Sequence, residues 1–136
     1  MEDTRVTFET AKLAKEKGFF QETNRLEIPY YNYKGEFKGD VSDWRIRKYI
    51  RGENTSDIEF VSAPTQSLLA KWLREEYSIR VYPIQKIAGD FGFEIYIPNK
   101  DNPVGKPFER LAYFTLHFKT YEEAYEIGLQ EALKLI

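Results

Sequence analysis

The feature that most narrows the fold is the pattern over residues 65–136: helix, three strands, helix, with a closing helix that opens on acidic residues. Its start is written in Thr120-Tyr121-Glu122-Glu123, a capping box. The threonine oxygen takes an N–H of the first turn, and Glu123 is expected to reach back to the threonine N–H. Both glutamates lie at the positive end of the helix dipole. Ala124, Gly128 and Ala132 recur every fourth residue and form a ridge of small side chains, flanked by Tyr121, Tyr125, Leu129, Leu133 and Ile136. A mid-helix glycine costs about 1 kcal/mol against alanine, so Gly128 is read as placed for close packing.

The other elements of this block follow from periodicity. A helix is expected from about Pro64 to Tyr77, with Leu68, Leu69, Trp72 and Leu73 as its apolar stripe. Ile79-Arg80-Val81-Tyr82 reads as a strand, and Gly89-Asp90-Phe91-Gly92 as a hairpin turn. Phe93, Ile95 and Ile97 alternate along a second strand. After a loop holding Pro98, Pro103, Gly105 and Pro107, a third strand is expected over Ala112–Phe118, with Phe114, Leu116 and Phe118 inward.

Upstream, Thr7 can cap a thin helix over Phe8–Lys17 that Gly18 stops. Residues 26–33 are rich in β-formers, and Pro29 places that strand at an edge or at its own first residues. Trp44-Arg45-Ile46-Arg47 suits a half-buried strand, with a short helix over 42–50 as the competing reading. Residues 51–57 form a polar loop. The expectation is one α+β domain over 1–136: a mainly antiparallel sheet with about three helices, an N-terminal helix plus extended region over 1–60, and the αβββα block over 62–136.

Composition removes several function classes. There is no cysteine, so disulfide and thiolate chemistry are excluded and a cytoplasmic location is the default. The first residues lack the charged and apolar regions of a signal peptide, and no apolar run is long enough to span a bilayer, so no membrane partner is expected. A net charge of −2 supplies no global field for nucleic acid. No catalytic residue, cofactor site or metal cluster is identified. His117, the only histidine, is placed on a polar strand face with Tyr113 and Thr115, and no partner or nucleophile is assigned to it. Asp90-Phe91-Gly92 spells a kinase metal motif, but the motifs that accompany it there are absent.

The segment that carries weight is 30–51. Tyr30, Tyr31, Tyr33, Phe37, Trp44 and Tyr49 alternate with Lys34, Lys38, Arg45, Arg47, Lys48 and Arg51. Six basic residues against Glu36, Asp40 and Asp43 leave +3. Aromatics among cations can stack bases and pair phosphates, or form a protein interface rich in Tyr and Arg. The plainer account, a half-buried sheet with ordinary surface charges, ranks ahead of both. The candidate binding residues are Tyr31, Tyr33, Trp44, Arg45, Arg47, Lys48 and Arg51.

Three segments, Val6–Phe19, Ala63–Glu75 and Thr120–Ile136, resemble small uncharacterised phage and prophage-type proteins of gut bacteria. The resemblance implies an accessory protein of a phage or mobile element, and no particular activity. A weaker likeness is to the double-stranded-RNA-binding domain, which also runs helix, three strands, helix. That domain opens its last helix with a lysine patch. Here Tyr121, Glu122, Glu123 and Tyr125 hold the place, and carboxylates repel phosphates. The leading expectation is therefore a non-enzymatic protein-binding module. Nucleic-acid binding through 30–51 comes second and a small enzyme third, and the oligomeric state is left open.

Overall fold

Thr7 begins the first helix, α1 (Phe8–Glu16), by accepting the Thr10 N–H on its side-chain oxygen at 3.4 Å. Gly18 ends it at φ +97°, with its N–H on the Lys15 carbonyl and the Phe19 N–H on that of Ala14. These two bonds are the Schellman pattern, which satisfies carbonyls that the helix leaves unpaired. Here and below, a computed structural model describes residues 4–19, 29–38, 61–101, 104–112 and 116–136. The chain divides into two compact units, Met1–Thr65 and Gln66–Ile136.

The first unit contains α1 and three short antiparallel strands, β1 (Tyr30–Tyr31), β2 (Phe37–Lys38) and β3 (Val61–Ser62), in the order β2-β1-β3. Pro29 stands just before β1, where its missing N–H costs nothing, and its carbonyl accepts the Ala63 N–H. The β1–β2 turn is held by Asn32, whose side-chain oxygen accepts the N–H groups of Lys34 and Glu36. Gly35 sits in that turn at φ +81°, with Phe8 so close that a β-carbon would meet the ring at 2.9 Å. Val6, Ala11, Ala14, Val61 and Ala63 are buried.

The second unit runs α2 (Gln66–Tyr77), β4 (Arg80–Gln85), β5 (Phe91–Pro98), β6 (Phe108–Ala112) and α3 (Tyr121–Leu133). The sheet is antiparallel in the order β4-β5-β6. Both units together make the fold α+β, and its C-terminal half is helix, three strands, helix. The ridge of α3 lies on the sheet. A β-carbon on Gly128 would come within 2.8 Å of Val81 and 3.1 Å of Phe93, so only glycine permits this approach. Leu69 and Leu73 of α2, Val81, Phe93 and Ile95 of the sheet, and Leu129 and Leu133 of α3 are buried. One buried polar contact joins the helices: Gln66 Nε2 donates to the Glu122 carbonyl at 2.9 Å and to the Glu126 carboxylate at 3.2 Å.

Several sequence expectations shift. α2 starts at Gln66 and not at Pro64, because the Pro64 carbonyl accepts the Val6 N–H and Thr65 bridges to Arg5. Its buried positions are Gln66, Leu69, Ala70 and Leu73, while Leu68 and Trp72 are half-buried. β4 continues through Pro83 to Gln85, which an edge strand tolerates. The third strand is Phe108–Ala112 and not Ala112–Phe118. Phe118 rejoins the sheet only by an isolated bridge to Phe91. Ala112 opposes Glu94, and Phe118 opposes Phe91. In the capping box, the Thr120 side chain accepts the Glu123 N–H at 3.1 Å as expected, but Glu123 accepts from Lys119 and not from Thr120. The 42–50 alternative, the 51–57 loop and residues 113–115 lie outside the described residues.

Candidate functional site

Period-two alternation sorts the second sheet into two faces. Val81 and Phe93 meet α3 and the buried Ile95 shares their face, so Arg80, Tyr82 and Ile84 of β4, Glu94 and Tyr96 of β5, and Phe108 and Arg110 of β6 point the other way. This second face carries rings and guanidinium groups where a solvated strand usually carries mixed polar side chains. Tyr82, 46% exposed, meets Tyr96 edge to face with centroids 5.6 Å apart. The Arg80 guanidinium lies 4.6 Å from the centroid of the Phe108 ring. Arg110 pairs with one oxygen of Glu94 at 3.4 Å, and the Tyr96 hydroxyl donates to the other at 3.1 Å. Burial and that hydrogen bond raise the Tyr96 hydroxyl above its ordinary value, so it stays a donor. The charged centre of the face is thereby neutralised and its rings are held in place.

A second cluster closes the β4–β5 hairpin. Asp90 Oδ2 lies 2.5 Å from His117 Nδ1, and Lys86 Nζ lies 3.0 Å from the same nitrogen. Lys86 also donates to the Leu116 carbonyl at 2.5 Å. Its stem crosses Gly92, where a β-carbon would meet it at 2.8 Å. Asp90 is held below its ordinary 3.8, first by the hydrogen bond from His117 and then by the Lys86 charge, with burial opposing. His117 therefore stands just before the Phe118 bridge, against the hairpin turn and outside any strand, while Tyr113 and Thr115 lie outside the described residues. Its side chain is 64% exposed, and no hydroxyl is hydrogen bonded to it among the described residues. An aspartate orienting an imidazole is half of a nucleophilic site. The cluster acts as a clip that ties residues 116–118 to the hairpin.

Of the candidate binding residues named from sequence, Tyr31 and Tyr33 are described. Tyr31 stacks on Phe8 with centroids 5.6 Å apart and donates its hydroxyl to the Val6 carbonyl at 2.5 Å, so it holds the first unit together. Tyr33 is 63% exposed with the Lys34 ammonium 5.7 Å from its ring centroid. Trp44, Arg45, Arg47, Lys48 and Arg51 lie outside the described residues.

The face of β4, β5 and β6 forms no dense basic-aromatic run in the sequence, because its residues are spread over three strands. The available signal was complementary parity. With Phe93, Ile95 and Ile97 on one face, Glu94 and Tyr96 must share the other. Among the described residues, no group of His, Cys, Asp and Glu could hold a metal, and no helix is long and apolar enough to cross a membrane. No protein-family model, curated protein or solved structure matches the chain.

Proposed function

We propose that the protein is a non-enzymatic protein-binding module that presents the β4-β5-β6 face to a partner. The carrying observation is the arrangement of Tyr82, Tyr96, Phe108, Arg80 and Arg110 on one face of the sheet. Tyr and Arg dominate binding energy at interfaces because each covers apolar area and also donates hydrogen bonds. Rings already fixed by neighbours lose little side-chain freedom on binding. The resemblance of its three segments to phage-type proteins supports an accessory role in a phage or mobile element.

Nucleic-acid binding is the second reading. It rests on Tyr33, an exposed ring beside the Lys34 ammonium, which is the geometry of a stacking platform. The two readings separate in an affinity capture from bacterial lysate, with and without nuclease, read by mass spectrometry. Protein binding predicts a stoichiometric partner that survives nuclease and is lost in Tyr82→Ala/Tyr96→Ala. A partner lost with nuclease, or retained by that double variant, counts against this face.

A further inference from the structure

We infer that the β4-β5-β6 face recognises an extended acidic peptide segment, with Arg80 as the receptor for its carboxylate and Tyr82 as the seat for an apolar side chain two positions away. The inference rests on the binding role proposed above and adds the chemistry of the partner.

Charge bookkeeping on the face points to this occupant. It carries two guanidinium groups and one carboxylate. Arg110 and the Tyr96 hydroxyl together satisfy both oxygens of Glu94. Among the described residues, Arg80 has no carboxylate partner, and its recorded contact is the Phe108 ring. The Arg80 guanidinium lies over the Phe108 ring, a contact made by its charge that does not consume its N–H donors. Those donors match the two oxygens of a carboxylate, the bidentate geometry in which arginine binds most strongly. The complement to this face is therefore one negative planar group, set among apolar contacts.

Spacing refines the ligand. Arg80 and Tyr82 are alternate residues of one strand, so their side chains leave the same face about 6.5–7 Å apart. An extended peptide has the same repeat. A carboxylate residue and an apolar residue separated by one position would therefore reach Arg80 and Tyr82 together. A phosphate backbone is a poorer complement. Polyanion affinity grows with the number of phosphates neutralised, and among the described residues this face offers one cation, Arg80, that is not paired with a carboxylate.

The test is selection of a random heptapeptide library on the immobilised full-length protein, followed by binding of one selected fluorescent peptide in solution. The expected result is enrichment of Asp or Glu two positions from an aromatic or large aliphatic residue, with one residue between them. Arg80→Ala should weaken that peptide about tenfold or more, as loss of a charge-assisted bond requires. Arg80→Glu should redirect selection toward Lys and Arg. Neutral or basic winners from the wild type, or an acidic peptide indifferent to both Arg80 variants, would overturn the inference while leaving the binding face intact. No enrichment over background, or enrichment unchanged in Tyr82→Ala/Tyr96→Ala, would overturn the binding face itself. Arg80 and Tyr82 are both exposed, so the thermal midpoints of these variants should match the wild type and exclude misfolding as the cause.

Discussion

Gly128 shows how a single atom decides a packing distance. Alanine there would gain about 1 kcal/mol of helix propensity. Its β-carbon would also drive into Val81 at 2.8 Å and Phe93 at 3.1 Å, in a core where overpacking costs about 1–3 kcal/mol. Gly128→Ala should therefore lower stability by about 1 kcal/mol in a denaturant melt, against the propensity trend. Ser78 is the opposite case. It occupies the left-handed region at φ 56°, where it turns the chain from α2 into β4. Ser78→Gly should raise stability by about 0.5–1 kcal/mol, because glycine adopts that conformation without the β-carbon penalty. The packing role of Gly128 was legible from the repeat of small residues. The Gln66–Glu126 contact was not, because 60 residues separate its partners and nothing local marks them. Gln66→Ala should cost about 1–3 kcal/mol, since it leaves a buried carboxylate without this donor.

At the scale of elements, the boundaries that sequence misplaced share one cause, which is pairing with distant chain. Pro64 looks like a helix start until Val6 takes its carbonyl. Pro83 looks like a strand end until β4 proves to be an edge, where a proline also blunts pairing with other chains. Phe108–Ala112 looks like loop because its apolar residues are sparse, yet β5 supplies a ladder for it. The caps at Thr7, Gly18 and Thr120 stand where local chemistry placed them, at the two ends of α1 and the start of α3. The hairpin clip makes its own prediction. Asp90 is depressed in the folded state, so its stabilisation is present above its ordinary value of 3.8 and is lost as pH falls through the folded value. The difference in thermal midpoint between wild type and Asp90→Asn should be full at about pH 5 and should shrink toward about pH 2–3. An equal difference at both pH values would show that the carboxylate charge is not what holds the clip.

For the whole molecule, the α+β class and the helix-strand-strand-strand-helix order of the C-terminal half were legible, because hydrophobic periodicity and caps are local. Of the β4-β5-β6 face, the sequence carries the residues but not their assembly, and residues 39–51 of the segment named from sequence lie outside the described residues. An excess of aromatic residues pointed to a contact surface, but the contiguous segment 30–51 drew attention from residues that only sheet pairing assembles. Tyr31 illustrates the limit: its exposure and its role depend on Phe8 and Val6. On the proposed reading, the rings of β4 and β5 bind a protein. The most direct test captures partners from bacterial lysate on the wild type and on Tyr82→Ala/Tyr96→Ala, both treated with nuclease. A stoichiometric protein is expected on the wild type and none on the variant. The same protein on both, or nothing on either once nucleic acid is removed, would contradict it.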